Sequence, residues 1–563
     1  KTAGHPEFGH AAGIETTTGP LGQGIANAVG FAMAERALNA EFGDDLVNHT
    51  TYVIAGDGCL MEGISHEAAS LAGHLKLNKL VVLWDDNQIT IDGATSLSTS
   101  DDQLARFKAY GWATDAVDGH DFAAIRAAIA KAQKSDKPVL ISCRTVIAKG
   151  APTKAGKNSS HGSPLGAEEI AGTRAALNWP YAPFEIPSDI QAAWKAAARS
   201  RAAAYGEWST RFEASPKQEA FSMRIGGDLG NAWVHALNKL KQNIATAQPK
   251  EATRVSSQNT IDALAASLPA FLGGSADLTG SNNTKAKAMQ AFAAPDYAGR
   301  YVYYGIREHG MAAAMNGIAL HGGFIPYGGT FLVFTDYCRP SMRLSALMQQ
   351  RVIYVMTHDS IGVGEDGPTH QPVEHLASLR AIPNLNVFRP ADAMETAECW
   401  QLAIASTETP SVLALTRQAL PSLRADYTPE NLCARGAYVL REASAAPKVV
   451  LFATGSEVSL AVDAREKLEA KGIPTRVVSV PCMDLFWQQP ETYRNELLVK
   501  NHSPNHAVVR IAIEAAIEQG WEKILGDNGI FIGMTGFGAS APAPELYQHF
   551  GITVEAIVAA ASA

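Results

Sequence analysis

Apolar runs of strand length alternate with segments of helical periodicity from the start of the chain to about residue 215. Three runs rich in β-branched and aliphatic residues predict buried strands, at 51–55, 79–84 and 138–143. Apolar positions at helical spacing, or a high alanine content, predict helices at 21–38, 64–75, 122–134 and 186–211. This alternation predicts a parallel sheet covered by helices on both faces.

The same alternation returns twice after a lysine-rich connecting segment at 215–250. Strands of the second series are predicted near 271–274, 301–304, 352–356, 385–388 and 411–415. Helices of that series are predicted near 257–268, 308–321, 333–348 and 392–405. After a polar stretch at 422–431, a strand, a helix and a strand at 448–456, 457–471 and 475–480 predict a βαβ unit. We therefore expect an α/β fold class with mostly parallel sheets.

Length, composition and charge narrow the class of protein. A chain of 563 residues has room for about three large α/β domains. Its hydrophobic content of 46% and charged content of 18% are those of an ordinary globular protein. The net charge of −9 gives no reason to expect nucleic acid or a membrane as a partner. Phosphorylated ligands would need a local cationic pocket, since the overall field repels them.

The cysteines and the hydropathy pattern point to a cytoplasmic protein. The six cysteines are scattered without a Cys-x-x-Cys pair, which is typical of reduced thiols packed as small apolar groups. No apolar run reaches the roughly 20 residues that a membrane-spanning helix needs.

A Gly-Asp-Gly triplet follows the first predicted strand, and an asparagine follows the second. Gly56 and Gly58 allow the backbone to turn tightly and to approach a ligand. Asp57 and Asn87 then stand at the carboxyl ends of two strands, where open α/β sheets bind ligands. One carboxylate, one amide oxygen, a backbone carbonyl and phosphate oxygens would form an all-oxygen site for Mg²⁺ or Ca²⁺. The spacing favours a cation that holds a diphosphate over a simple glycine turn.

The stretch Gly305-Ile-Arg-Glu308-His309 opens the helix predicted at 308–321. A carboxylate at a helix N-terminus is favoured in its charged form. Judged alone, Glu308 is most simply a glutamate at a helix start. The functional alternative is a carboxylate that hydrogen-bonds a heterocyclic nitrogen and shuttles its proton.

A polar loop from His358 to Gln371 follows a predicted buried strand. Its three glycines, two histidines and three acidic residues favour a ligand-binding loop over a merely solvated one. The turn at 19–24 is a phosphate cradle at a helix N-terminus or a plain glycine-rich turn. Four further residues are, taken singly, more simply turn, surface or ion-pair residues: His5, His161, Arg254 and Arg417.

Taken in order, these stretches closely resemble transketolase, the family of thiamine-diphosphate enzymes that move two-carbon ketol units between sugar phosphates. The resemblance extends from Lys1 to the C-terminus. It is carried jointly by Gly4-His5-Pro6-Glu7, Thr17-Thr18-Gly19-Pro20-Leu21-Gly22-Gln23-Gly24, Gly56-Asp57-Gly58, Asp86-Asn87, Gly273-Gly-Ser-Ala-Asp277-Leu, Gly305-Ile-Arg-Glu308, Gly329-Thr-Phe331, Thr357-His358 and Gln371-Pro372.

The resemblance implies the cofactors thiamine diphosphate and Mg²⁺ or Ca²⁺. The metal would be bound by Asp57, Asn87 and the carbonyl of Ile89. The remaining residues implied to contact or adjoin the coenzyme are Gly19, Leu21, Gly58, Ile147, His161, Asp277, Glu308, Phe331 and Phe334. Among these, Phe331 and Phe334 would stack on the aminopyrimidine ring, and Glu308 would hydrogen-bond its N1′.

The resemblance also implies a set of catalytic and substrate residues. The substrate phosphate would be bound by Arg254, Ser281, His358 and Arg417. Asp366 would recognise a substrate hydroxyl, and three catalytic histidines would contact the reacting hydroxyls: His5, His161 and His370. The implied reaction moves a ketol group from xylulose 5-phosphate to ribose 5-phosphate or erythrose 4-phosphate, as in the pentose phosphate pathway or the Calvin cycle.

The implied architecture has three domains: an N-terminally incomplete diphosphate-binding domain at 1–218, a pyrimidine-binding domain with its helical linker at 219–427, and a smaller C-terminal domain at 428–563. Family members carry roughly a hundred further residues before Gly4, including two more active-site histidines. We therefore expect that a preceding segment is missing from this sequence. The family pattern also implies a homodimer in which Asp57 and Glu308 of one active site come from different chains.

Three alternatives stay open at this stage. Dihydroxyacetone synthase shares the chemistry, but a formaldehyde acceptor would not need a phosphate clamp. 1-Deoxyxylulose-5-phosphate synthase uses pyruvate, and the loop from His358 to His370 would not be expected intact there. From a different class, the chain would be a non-catalytic cofactor-binding or interaction protein that has lost its activity with its N-terminus.

Overall fold

The computed structural model describes residues 4–499 and 508–562. The chain divides into two compact units. The first contains the residues up to 228 with the short segments 293–298 and 320–323, and the second contains 229–292, 299–319 and the residues from 324 onwards. Every helix in the described ranges falls short of the length or apolar character needed to cross a bilayer.

The first unit is built on a four-stranded parallel sheet. Its strands are β1 (Thr51–Gly56), β2 (Leu80–Asp86), β3 (Ala113–Asp118) and β4 (Val139–Arg144). Its helices are α1 (Gln23–Phe42), α2 (Asp57–Met61), α3 (Gly63–His74), α4 (Gln103–Ala109), α5 (Phe122–Ala132), α6 (Ala167–Ala176), α7 (Ser188–Glu213) and α8 (Gln218–Gly226). The strand order is β1-β2-β4-β3, with every pairing parallel. The predicted parallel sheet is confirmed.

Two details of this sheet differ from the prediction. Strand β3 was not predicted, because its sequence Ala-Thr-Asp-Ala-Val-Asp is too polar to form an apolar run. The prediction that 51–55 is a buried strand is wrong for one face of β1, where Tyr52 is 45% exposed and Ile54 is 84% exposed. The reason is that β1 lies at the sheet edge, and the described chain does not cover the face to which these alternate side chains point.

The second unit contains two sheets. Strands of the larger one are β5 (Phe271–Ser275), β6 (Tyr301–Tyr303), β7 (Ile325–Phe331), β8 (Ile353–Thr357), β9 (Asn386–Phe388) and β10 (Ser411–Leu415). Helices of this part are α9 (Ala232–Ala247), α10 (Thr253–Ala265), α11 (Thr279–Asn282), α12 (Glu308–His321), α13 (Thr335–Leu347), α14 (His375–Arg380) and α15 (Ala393–Ala405). The order is β6-β5-β7-β8-β10-β9, again with every pairing parallel.

Strand β7 was missed by the sequence prediction although it is fully buried at the centre of this sheet. Its sequence Ile-Pro-Tyr-Gly-Gly-Thr-Phe contains one proline and two glycines, which normally argue against a central strand. Tertiary packing overrides that local preference, because β7 is hydrogen-bonded between β5 and β8.

The smaller sheet of the second unit contains β11 (Tyr438–Arg441), β12 (Val449–Ala453), β13 (Thr475–Ser479), β14 (Val509–Ile513) and β15 (Ile530–Ile532). Its helices are α16 (Glu457–Ala470), α17 (Met483–Trp487), α18 (Glu491–Leu497), α19 (Glu522–Leu525), α20 (Ala543–His549) and α21 (Val554–Ser562). The order is β11-β13-β12-β14-β15, and only the pairing of β11 with β13 is antiparallel. The predicted βαβ unit is confirmed as β12-α16-β13.

Gly273 of β5 lies against the ring of Tyr327, and a side chain at position 273 would clash with that ring. A Cβ at this position would lie 2.1 Å from Cζ of Tyr327, whose side chain is fully buried. We expect Gly273→Ala to lower the free energy of unfolding by about 1–3 kcal/mol, because an overpacked core must shift. Chemical denaturation measures this. Gly206→Ala is the control: this α7 glycine has open space at Cβ, so alanine there should be neutral or stabilising.

Candidate active site

Asp57 occupies a buried position at the carboxyl edge of the first sheet. It directly follows β1 and is the first residue of α2. Its Oδ1 accepts a hydrogen bond from Trp84 Nε1 at 3.2 Å, and its Oδ2 accepts one from the Gln88 backbone N–H at 2.9 Å. These contacts come from the end of β2 and the loop after it, because the parallel register places Gly56 opposite Asp85. The strand ends therefore meet as the spacing predicted.

Carboxylates crowd this edge. Burial and the neighbouring Asp86 both raise the pKa of Asp57. Asn87 donates from Nδ2 to Asp85 at 3.2 Å, while its Oδ1 accepts the Ile89 backbone N–H at 2.9 Å. A divalent cation would relieve the repulsion that the pKa reports, so the donor set fits a hard cation. In the described ranges no three His, Cys, Asp or Glu side chains are arranged to hold a metal, so amide, carbonyl and ligand oxygens would complete the shell.

The predicted glycines adjoin Asp57 and a histidine. A Cβ on Gly58 would lie 2.9 Å from Leu21 Cδ1, so Leu21 packs directly over this glycine. A Cβ on Gly19 would lie 3.5 Å from the His5 side chain, which places His5 beside the turn before α1. Leu21 remains 51% exposed, which leaves an apolar surface beside the acidic edge.

Three further predicted residues of the first unit lie on loops that follow strands. Ile89 lies in the loop after β2, and Ile147 lies after β4, where its carbonyl accepts the Gly156 N–H at 2.9 Å. His161 is exposed and follows a short 3₁₀ turn. Asn158 of that turn donates to the Ile91 carbonyl at 3.1 Å, which ties the His161 loop to the Ile89 loop.

The second unit gathers two phenylalanines and two histidines. The rings of Phe331 and Phe334 are nearly parallel, at 7°, with centroids 5.8 Å apart. His358 stacks on Phe331 at 3.7 Å between centroids, and His370 meets Phe334 edge-on at 5.6 Å. These side chains come from the end of β7, the turn after it, and the loop after β8. The structure therefore brings four predicted site residues into one aromatic cluster.

A cationic group adjoins this cluster. Arg254 donates from Nη1 to the Ser281 carbonyl at 2.8 Å, and Arg417 donates to the Val363 carbonyl at 2.6 Å. Burial and the positive charge of Arg417 lower the pKa of Arg254. Burial, then Arg254 and Arg417, lower the pKa of His358 to about 3. The Nε atom of Arg254 is buried and has no hydrogen-bond partner among the described residues. An anion would satisfy that donor and offset the mutual repulsion, so the residues fit a phosphate.

A relay of polar side chains that the sequence analysis missed orients His358. Ser275 Oγ donates to Asn282 Oδ1 at 2.9 Å, and Asn282 Nδ2 donates to Thr357 Oγ1 at 2.6 Å. The Thr357 hydroxyl lies 2.8 Å from His358 Nδ1, and His358 has a left-handed backbone with φ 61°. The available signal was positional: Ser275 and Thr357 are the last residues of β5 and β8, at the edge where ligands bind.

Glu308 begins α12, as predicted. The helix N-terminus has the expected effect on the Glu308 carboxylate, but burial outweighs it. Burial raises the pKa of Glu308, and a hydrogen bond to its own backbone N–H lowers it less. Apart from that backbone contact, its carboxylate has no hydrogen-bond or ion-pair partner in the part of the chain that the structure describes. It is therefore free to accept a proton or a hydrogen bond from a ligand.

The structure does not join every predicted residue to a cluster. Asp277 and Asp366 are exposed, and Asp277 has φ 60° in the turn after β5. Within the described chain, no hydrogen bond, ion pair or ring contact links Asp277, Asp366 or Glu308 to the arginines or the aromatic cluster. Asp366 does share its loop with His370 and His358.

Comparison with protein families gives matches along most of the chain. The thiamine diphosphate binding domain of transketolase matches residues 1–225. The pyrimidine binding domain of transketolase matches residues 250–422. A transketolase-like C-terminal domain matches residues 436–553.

Relatives and solved structures agree with those matches. A transketolase of Cereibacter sphaeroides is 58% identical over 561 residues, which is 100% of this chain and 84% of the relative. One of Sinorhizobium medicae is 58% identical over 567 residues, covering 100% of this chain and 80% of the relative. The structure of transketolase from Leishmania mexicana is 43% identical with a TM-score of 0.92, covering 100% of this chain and 83% of that one. A Pichia stipitis transketolase in complex with sedoheptulose-7-phosphate is 41% identical with a TM-score of 0.92, at the same coverage.

Proposed function

Because the chain belongs to the transketolase family and is a ketol-transferring enzyme, we propose which of its residues carry out the transfer and which ligands they hold. The reaction is the reversible transfer of a two-carbon ketol group from a ketose phosphate to an aldose phosphate by thiamine diphosphate. The observation that carries the assignment is the pair Arg254 and Arg417 beside His358: the charge of Arg417 lowers the pKa of Arg254, and the buried Nε of Arg254 has no hydrogen-bond partner in the described chain, so an anion would stabilise the pair.

The first unit would hold the diphosphate end of the coenzyme. Asp57, Asn87 and the Ile89 carbonyl would hold Mg²⁺ or Ca²⁺, which would offset the charge of the diphosphate near Gly58. The raised pKa of Asp57 and the crowded carboxylates support this role. Further coenzyme contacts are assigned to Gly19, Leu21, Ile147, His161 and Asp277, which the family pattern implies.

The second unit would hold the aminopyrimidine. Phe331 and Phe334 stack on the ring, which their nearly parallel planes support. Glu308 hydrogen-bonds the ring nitrogen and holds the proton that moves there, which its partner-free carboxylate and raised pKa support. When bound, thiamine diphosphate supplies a nucleophilic carbon and an electron sink for the broken carbon–carbon bond.

Three histidines and one aspartate would contact the sugar. We assign the transfer of hydroxyl protons to His5, His161 and His370, and recognition of a further hydroxyl to Asp366. The phosphate of donor and acceptor is held by Arg254, Ser281, His358 and Arg417. His358 is neutral at physiological pH, because burial and then the two arginines lower its pKa to about 3. It therefore acts as a hydrogen-bonding partner of the phosphate, while the guanidinium groups supply the charge.

At the level of assembly, we propose a homodimer with two active sites, each completed by both subunits. We also propose a cytoplasmic location and a role in the pentose phosphate pathway or the Calvin cycle. Six free cysteines, without a disulfide among the described residues, are compatible with a reducing compartment.

A coupled assay tests the proposed cofactors and substrates. Xylulose 5-phosphate and ribose 5-phosphate are supplied with thiamine diphosphate and Mg²⁺, and each component is then left out in turn. We expect turnover with the full mixture and its loss when the coenzyme is omitted, or when a chelator removes the cation. Equal turnover without coenzyme or cation would contradict the assignment.

Arg417→Ala should weaken binding of phosphorylated sugars selectively. We expect KM for xylulose 5-phosphate to rise about ten- to a hundredfold, because a charge-assisted contact worth roughly 1.5–3 kcal/mol is lost. KM for unphosphorylated xylulose should change little. Arg435→Ala is the control, since Arg435 is a half-exposed arginine paired with Glu430. Equal effects of Arg417→Ala on both sugars would show that this arginine is only structural.

A further inference from the structure

The smaller sheet of the second unit has the crevice at which open α/β sheets bind ligands, but a protein side chain fills it. The chain runs from β12 to β13 on one side and then to β14 on the other. The carboxyl ends of β12 and β14 therefore flank the point where the strand order reverses, which is the ordinary ligand position of such sheets. Glu514 directly follows β14, and Glu457 opens α16 after β12.

Arg389, which follows β9 of the larger sheet, occupies this crevice and is fully buried. Its guanidinium pairs with Glu457, lies 3.8 Å from Glu514, and donates to the Thr454 carbonyl at 3.0 Å. A Cβ on Gly455 would lie 2.7 Å from Arg389 Nε, so only glycine admits the guanidinium here. The crevice is thus shaped for an arginine of the same chain rather than for a free ligand.

The same guanidinium also holds the loop that carries the phosphate-binding residues. Arg389 Nε donates to Asp359 Oδ2 at 2.8 Å, and Asp359 is the residue after His358. Asp359, Glu457 and Glu514 are all at most 2% exposed. Removing Arg389 would leave three buried carboxylates with one fewer cation, which is unfavourable. Arg389 therefore links the position of the loop to that of the crevice.

Tyr547 of α20 makes a second link between the C-terminal part and the site. Its hydroxyl donates to Glu457 Oε1 at 2.7 Å and lies 3.4 Å from Ser360 Oγ. It also accepts a hydrogen bond from Gln418 Nε2 at 3.2 Å. Ser360 and Gln418 lie next to Asp359 and Arg417, so one phenol joins the two chain segments that carry the phosphate-binding residues.

The far end of the loop is held in the same way. Gln371 donates from Nε2 to the Gly364 carbonyl at 2.8 Å and to the Ala539 carbonyl at 2.9 Å. Ile361 of the loop is fully buried in the hydrophobic core that contains Val449, Ile511 and other residues of the smaller sheet. Both ends of the loop are therefore fixed to the C-terminal part.

We propose that the C-terminal domain is a positioning element for substrate phosphate, acting through Arg389, Glu457 and Tyr547 on the loop of His358 and on Arg417. This inference rests on the proposed role of His358 and Arg417 in binding phosphate. In this proposal the domain acts on the phosphate-binding residues and not on the reacting carbons. It fixes the positions of His358 and Arg417, which together form the phosphate clamp. It therefore sets selectivity for phosphorylated over unphosphorylated sugars.

Tyr547→Phe tests this with the least disturbance, because it removes only the hydroxyl. Both donors, xylulose 5-phosphate and xylulose, are assayed with the unphosphorylated acceptor glycolaldehyde, so that only the donor carries a phosphate. We expect KM for xylulose 5-phosphate to rise about five- to tenfold, as for the loss of one or two hydrogen bonds. Its kcat, and KM for xylulose, should change much less.

Tyr493→Phe is the matched control. Tyr493 belongs to the same domain and donates to the Ala437 carbonyl at 2.8 Å, away from the clamp. It should show no donor-selective change. Glu457→Gln is the second variant: it keeps the side-chain volume but weakens the pairing with Arg389, and it should give the same selective pattern, more strongly. Thermal unfolding of each variant separates misplacement of the loop from unfolding.

The possible outcomes decide between this inference and the proposed site. If Arg417→Ala is selective for the phosphorylated donor while Tyr547→Phe and Glu457→Gln are not, the positioning role is overturned and the phosphate site stands. If Arg417→Ala is not selective, the phosphate site itself is wrong. Equal changes for both donors in Tyr547→Phe, or a selective change in Tyr493→Phe, also overturn the positioning role.

Discussion

Glu308→Gln should remove most of the turnover, by about 10²- to 10⁴-fold in kcat, while leaving the fold intact. This is the rate factor that one positioned side chain typically contributes through proton transfer. A neutral amide still fills the space, but it cannot accept a proton from a heterocyclic ring nitrogen and return it. Within the described chain the Glu308 carboxylate has no side-chain partner to lose, so its removal should not disturb neighbouring residues.

Stability gives this prediction a readout that does not depend on activity. Burial raises the pKa of Glu308, so the charged carboxylate is disfavoured in the folded protein relative to the unfolded chain. That cost is present above the raised pKa and disappears as the pH falls below the unfolded value. An amide carries no such cost. At pH 7 the thermal midpoint of Glu308→Gln, measured without coenzyme, should therefore equal or exceed that of the unsubstituted protein.

The matched control is Glu491→Gln, which changes the same residue type in the first turn of α18. It should leave kcat unchanged. Near-normal turnover in Glu308→Gln would refute the proton-transfer role. A lowered thermal midpoint in that variant would instead indicate that Glu308 supports the fold.

Asp57→Asn should abolish tight binding of thiamine diphosphate in the presence of Mg²⁺. Loss of a residue that only hydrogen-bonds a metal ligand lowers metal affinity roughly 10–100-fold. Asp57 is the only carboxylate assigned as a ligand, so its loss should lower the affinity for the coenzyme with Mg²⁺ by at least about a hundredfold. The fold should survive, because asparagine keeps the side-chain volume and its single amide oxygen can still accept one of the two hydrogen bonds, from Trp84 or from the Gln88 N–H. Isothermal titration calorimetry of the coenzyme, with and without Mg²⁺, measures the effect directly.

Asp121→Asn controls for this change. Asp121 caps the N-terminus of α5 in the same unit, and asparagine is an equally good cap. Its coenzyme affinity should match that of the unsubstituted protein. Undiminished affinity in Asp57→Asn would mean that the cation is held elsewhere, and the diphosphate site at the edge of β1 and β2 would have to be abandoned.

The α/β class and most of the helices and strands could be predicted from the sequence, because buried positions recur at the period of a helix or as a continuous apolar run. Strand β2 and helix α3 were predicted within a residue or two, and the βαβ unit around α16 was predicted as such. Strand β7 was not predicted, because its proline and glycines locally disfavour a strand. Pairing with the neighbouring strands overrides that preference. Exposure of Ile54 could not be predicted, since a sequence pattern does not tell an edge strand from a central one.

The candidate site shows the same division. The sequence indicated Asp57, Glu308 and the loop from His358 as candidates, because each follows a predicted strand. The resemblance supplied their proposed roles. The relay from Ser275 through Asn282 to Thr357 went unnoticed, because each member is an ordinary polar residue until the fold brings the three together.

By itself, the sequence determined the class of fold, the family, and which strand ends carry polar side chains, because these depend on residue types and their spacing along the chain. Only the tertiary structure decided that Arg389 fills the crevice between β12 and β14 and that it grips Asp359 beside His358. Those contacts join residues 30 and 68 positions apart, and no local pattern records a pairing whose partners meet only after two sheets have formed and packed.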